Sequence, residues 1–184
     1  MTRTMIVTAL AVASAATVAP GQAARSQQRE VQPSIRGVWR NIERVIPAAT
    51  GPGDRVDPFA HVPVGTQTNV QPGLLIITAK YYSRTTDTAV QPRPTTGYAV
   101  AATPTIEELQ ARWGPFAANA GTYELSGDTV TLRALVSKEP RDQTGGRFAR
   151  LRVRLDGNVL SLTPFETSDG RIAAGVTSRY VRVE

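Results

Sequence analysis

Gly37-Val38-Trp39-Arg40-Asn41-Ile42-Glu43-Arg44-Val45-Ile46 decides how this chain is read. The stretch has no proline and is rich in β-branched residues, so it reads as a strand from about Arg36 to Ile46. A side-chain period of two puts Gly37, Trp39, Asn41, Glu43 and Val45 on one face. Val38, Arg40, Ile42, Arg44 and Ile46 take the other, and neither face is purely apolar. A Gly-x-Trp at the head of the first strand of a small all-β chain points to a closed barrel with a plugged floor. A barrel of that size encloses one small molecule.

Upstream, Arg3 precedes an uncharged stretch of about 15 residues, Met5 to Ala19, too short for the ~20 residues of a membrane span. Gly21-Gln22-Ala23 supplies small residues at the cleavage positions. Residues 1–23 are therefore expected to be an export signal peptide, which sends the protein to the periplasm or outside the cell, the alternatives being an uncleaved anchor or a floppy cytosolic N-terminus. Residues 24–34 read as a polar, mobile lead-in, and residues 35–184 as one domain. With no cysteine, disulfides and thiolate metal sites are excluded.

The chain carries 21 Lys and Arg against 15 Asp and Glu, net +6, and all the basic residues but Lys80 and Lys138 are arginine. These arginines are spread singly along expected strands and not clustered with aromatics. No helix-turn-helix, zinc spacing or aromatic RNA-binding motif is present, so nucleic acid is not expected as a partner. A solvated basic face is the plainer reading.

Downstream, residues 47–72 hold the only histidine, His61, in a connection long enough to act as a lid. Gly73 to Ala79 and Tyr81 to Asp87 read as the next two strands. Pro92 and Pro94 rule out a central strand there. A helix is expected from about Thr103, with Pro104 in its first turn and Glu107 and Glu108 at its positive end. Its stripe of Ile106, Leu109 and Trp113 is expected to dock on the barrel or cap one end. Gly114-Pro115 ends it, with a further helical turn allowed over residues 116–119. Residues 122–125, 129–137, 147–155, 159–163 and 176–183 read as strands joined by turns. The clearest alternation sets Ala149, Leu151, Val153 and Leu155 against Arg150, Arg152 and Arg154. The expected fold is all-β: an eight-stranded antiparallel up-and-down barrel with one short α-helix after the third strand. A two-sheet sandwich is the competitor.

In order and spacing the chain resembles the bacterial lipocalin-like domain family over most of residues 35–184. The matching pieces are Gly37-Val38-Trp39-Arg40, Gly73-Leu74-Leu75-Ile76-Ile77-Thr78 with Tyr81-Tyr82-Ser83, and Thr105-Ile106-Glu107-Glu108. Ala118-Asn119-Ala120-Gly121-Thr122-Tyr123-Glu124-Leu125 and Arg179-Tyr180-Val181-Arg182 complete them. The resemblance implies that Trp39 sits at the barrel floor beside Gly37, with Arg182, or else Arg179, packed across the indole. It departs at Lys80-Tyr81, where an Asp-Gly turn is usual, and at Leu132-Arg133, where histidines are frequent. Chemistry that rests on those histidines would be lost here.

Three functions remain open. The first is a non-enzymatic binder of a small, largely hydrophobic molecule, held inside the barrel by Asn41, Glu43, Leu75, Ile77, Tyr82, Tyr123, Leu132, Leu151 and Val153. The second is a cofactor-independent isomerase, cyclase or lyase, with Glu43 as general base or acid and Tyr123 as its partner. Against it stands the plainer reading that Glu43 turns outward and pairs with a surface arginine. The third is a structural protein whose own side chains fill the interior. No metal site or cofactor is expected: a lone His61 lacks co-ligands, and no nucleophile motif or phosphate loop occurs.

Overall fold

The computed structural model describes residues 34–48, 64–93 and 103–184. The expected signal peptide, nearly all of the lead-in and His61 lie outside them. The strands in chain order are β1 (Gly37–Ile46), β2 (Gly65–Gln67), β3 (Gly73–Ile77), β4 (Tyr81–Asp87), β5 (Phe116–Ser126), β6 (Thr129–Ser137), β7 (Ala149–Asp156), β8 (Val159–Thr167), β9 (Gly170–Arg171) and β10 (Thr177–Arg182). Helix α1 (Ile106–Trp113) lies between β4 and β5, and a 3₁₀ turn (Pro140–Gln143) follows β6.

β1, β3, β4, β5, β6, β7, β8 and β10 pair antiparallel in that order, and β10 returns to β1. The result is a closed eight-stranded barrel, since β10 is hydrogen-bonded on both sides and leaves no edge between the halves. The sandwich alternative falls on that seam. β2 and β9 are short additions on β1 and β8. The described part of the expected lid thus contributes β2, laid on the end of β1.

Several expected boundaries move. β5 starts at Phe116, so the extra helical turn is absent and strand runs straight from the helix. β8 continues to Thr167, past the turn expected from Pro164. α1 begins one turn later than expected because Thr105, not Thr103, caps it. The Thr105 hydroxyl accepts from the Glu108 amide, and the Glu108 carboxylate accepts from the Thr105 amide.

The floor is built around Trp39, which is 0% exposed. Its Nε1–H donates to the Ile35 carbonyl at 2.8 Å. The Arg182 guanidinium lies 4.1 Å from the ring centroid and donates to the carbonyls of Arg36 and Ser34. Arg182, not the alternative Arg179, thus packs across the indole as the resemblance implied, by cation–π attraction and by stitching the incoming chain to the last strand. Gly37 makes room for it. Its φ of +143° favours glycine, and a Cβ there would overlap both the Arg182 guanidinium and the Glu184 carbonyl.

One feature of β1 reorders its faces. Across β10, Trp39 faces Arg182 and Asn41 faces Tyr180, but Glu43 faces Arg179. An extra residue between Asn41 and Glu43 makes a bulge, and a single inserted residue inverts the parity of everything after it. The buried positions of β1 are therefore Trp39, Asn41, Arg44 and Ile46. Glu43 turns to the outside and its carboxylate accepts from Arg179 Nη1 at 2.8 Å. This is the plainer of the two readings, Glu43 outward on a surface arginine; it overturns the inward general base and puts Arg44 in the inward place.

The helix departs in a second way. Ile106 is 70% and Trp113 54% exposed, with Leu109 also at the surface, while Arg112 is the buried residue of α1. The expected apolar docking face is not the contact face.

Candidate functional site

The wall of the barrel parts on one side. β1 pairs with β3 only from Gly37 to Arg40, and β2 takes over at Arg44. Asn41 to Glu43 lie between the two ladders, and an open groove of about 860 Å³ forms there. Ile42, Val70, Pro72, Leu74 and Phe116 give it an apolar lining, and Asn41, Thr86 and Asp87 a polar one. The volume falls within the ~300–1,000 Å³ of pockets that take small organic ligands.

Asn41 is only 6% exposed, and neither its Nδ2 nor its Oδ1 has a hydrogen-bond partner. Thr86 Oγ1, from β4, is in the same condition. The two flank Gly73 of β3, where a Cβ would come within 3.1 Å of Asn41 Cβ and 3.2 Å of Thr86 Oγ1. Glycine at 73 thus lets three strands bring an amide and a hydroxyl together against the groove. Buried polar atoms are nearly always paired, and each one left unpaired costs ~1–3 kcal/mol. Alternation along β4 puts Tyr82, Arg84 and Thr86 on one face, so this hydroxyl was accessible to sequence reasoning. The bulge that aligns Asn41 with it was not.

The far rim is fixed by charge. The Asp87 carbonyl accepts from Arg44 Nη2 at 2.6 Å, and the Asp87 carboxylate accepts from the Ala89 amide and pairs with Arg93. Arg93 also donates to the Arg112 carbonyl at 2.8 Å and stacks 5.3 Å from the Phe116 ring centroid. Phe116 in turn meets Trp113 edge to face, 6.1 Å between centroids at 81°. Arg93 thereby links groove wall and helix.

Behind Thr86 the lumen narrows to a chamber of about 50 Å³, lined by Arg44, Arg84, Thr86, Leu151, Leu162 and Tyr180 among others. Leu151 alone of the expected apolar ligand-binding residues borders it. Leu75, Ile77 and Tyr82 are buried in the core, with Tyr123, Leu132 and Val153 packed against it. These six line neither the groove nor the chamber. The interior is narrow because Trp39, Tyr180 and Leu160 fill its floor end. Burial raises the Tyr82 phenol above its ordinary pKa; Arg84 partly offsets this and Asp142 adds to it.

The two candidate catalytic groups are not brought together. Glu43 is on the outer face with Arg179, whereas the Tyr123 hydroxyl donates to the Thr78 carbonyl at 2.8 Å. Neither borders the groove or the chamber. Among the described residues, no group of three or more His, Asp or Glu is arranged to hold a metal ion, and no helix is long and apolar enough to cross a membrane.

By class, then, the molecule is a closed antiparallel barrel with a side groove. Comparison with known proteins takes this no further: no family model matches the chain, and no curated protein matches it.

Proposed function

We propose that this is a non-enzymatic, exported binding protein of lipocalin-like type, holding a small and largely apolar molecule with one or two polar groups. The ligand lies in the groove where β1 leaves β3, not in the lumen that the sequence suggested. Ile42, Val70, Leu74 and Phe116 take its apolar body, while Asn41 and Thr86 meet its polar end. The observation that carries this reading is the trio of buried, unpartnered atoms, Asn41 Nδ2, Asn41 Oδ1 and Thr86 Oγ1, beside a ligand-sized groove. A carbonyl or hydroxyl of the ligand supplies the missing partners and recovers their desolvation cost.

The deciding experiment is Asn41→Leu. The substitution keeps the branched heavy-atom skeleton and removes the orphaned amide, so the free protein should gain ~1–3 kcal/mol in urea unfolding while ligand binding is lost. Binding is read from Trp113 emission, which senses the groove through Phe116, with a panel of aromatic, terpenoid and long-chain amide or alcohol compounds. A destabilised Asn41→Leu, or a wild-type protein that answers to no member of the panel, would count against the proposal.

A further inference from the structure

We propose that the inner chamber is a second, separate site that takes a short-chain carboxylate. Two guanidiniums, Arg44 and Arg84, border this chamber, and none of the described residues lining it is acidic. Arg44 is committed to the Asp87 carbonyl and a further contact. Arg84 is not: among the described residues its guanidinium makes no hydrogen bond and no ion pair. A half-buried guanidinium with no partner is electrostatically poor, and an anion in the chamber relieves Arg84.

The register explains why Arg84 points there. It lies opposite Asn119, between Tyr82 and Thr86 on the inward face of β4. Of the acids around it, Asp142 sits on the 3₁₀ turn in contact with Ser137, and the carboxylate of Asp87, next in chain to Thr86, is engaged by Arg93 and the Ala89 amide.

Size and polarity then select the anion. About 50 Å³ is several times the ~10–15 Å³ that admits one water, yet far below a drug-sized pocket. One side of the chamber is Ile46, Leu151, Leu162 and Val176. A planar carboxylate fits the guanidinium fork, and one or two carbons behind it meet that apolar side. A phosphate or sulfate brings charge on every side and would face the aliphatic wall with oxygens. The site does not depend on any occupant of the groove, from which Thr86 separates it.

The test uses the full chain and three sodium salts at equal ionic strength: acetate, propionate and chloride. Acetate and propionate are expected to shift the Leu162 and Val176 methyl resonances saturably. At tenfold excess over Kd they should raise Tm by roughly 3–6 °C. Chloride should do neither, and Arg84→Gln should abolish the Tm response. Equal responses to chloride, or a response retained in Arg84→Gln, would overturn the assignment. If Arg84→Gln does not fold, the wild-type methyl shifts decide alone: unmoved methyls at saturating acetate sink the proposal. Loss of groove binding in Asn41→Leu leaves this result untouched, so the two proposals fail independently.

Discussion

Tyr82 shows how a single side chain registers the dryness of the barrel. Its phenol is buried on the inward face of β4, and desolvation raises its pKa in the folded state. The folded chain therefore holds that proton more tightly than the unfolded chain does. Its contribution to stability is intact below the ordinary tyrosine pKa of about 10 and drains away as pH climbs through the higher folded value. Tyr82→Phe should flatten the fall in urea midpoint above about pH 10 and change little at pH 7. An unchanged alkaline slope would mean that the phenol is solvated. The inward direction of Tyr82 was legible from alternation on β4. For Glu43 alternation pointed inward, and the outward pairing with an arginine stood as the plainer alternative; what was not legible is the bulge that causes it, which shows only when residues of β1 are counted against β10. Reading Glu43 as inward rested on an unbroken period of two; the extra residue at Ile42 sends it to Arg179 instead.

At the scale of one element, α1 separates what periodicity reports from what packing uses. Ile106, Leu109 and Trp113 recur at spacings of three and four, which indicates a helix and correctly gave one. The same pattern misidentified the buried face. Eight residues joining two barrel strands are tethered by polar contacts: the Thr105–Glu108 box, Arg93 on the Arg112 carbonyl, and Lys138 on the carbonyls of Trp113 and Gly114. These turn Arg112 inward, at 9% exposure, and leave the indole half in solvent. The two tryptophans should therefore behave as opposites. Wild-type emission should carry a red, iodide-quenchable fraction from Trp113. Trp113→Phe should leave a blue-shifted emission from Trp39 that iodide does not reach. Strong iodide quenching in Trp113→Phe would open the floor and contradict the burial of Trp39.

Across the whole molecule, closure follows from hairpin economy. Short connections from β5 onward put each strand beside the last, and β10 has only β8 and β1 left to pair with. That much was legible in alternation and turn residues. The distribution of free space was not, since it depends on how bulky side chains from different strands meet. Trp39, Tyr180 and Leu160 come together at the floor and fill it. Beyond it a small chamber remains, bordered by Arg44 and Arg84. Two leucines of similar burial sample these two environments. Leu160 is in the filled half, whereas Leu151 borders the chamber. Truncation to alanine removes the same atoms from each, so transfer terms cancel and the difference lies in the void left behind. Around Leu160 the new cavity is apolar and stays dry, which puts Leu160→Ala near the top of the ~2–5 kcal/mol range for buried leucines. Around Leu151 it merges with a space that has polar walls, where water enters and hydrates the guanidiniums, so Leu151→Ala should fall near the bottom. Urea denaturation of both variants measures the gap directly. Equal losses would show that the two ends of the barrel are packed alike, and the chamber, with the carboxylate assigned to it, would have no physical basis.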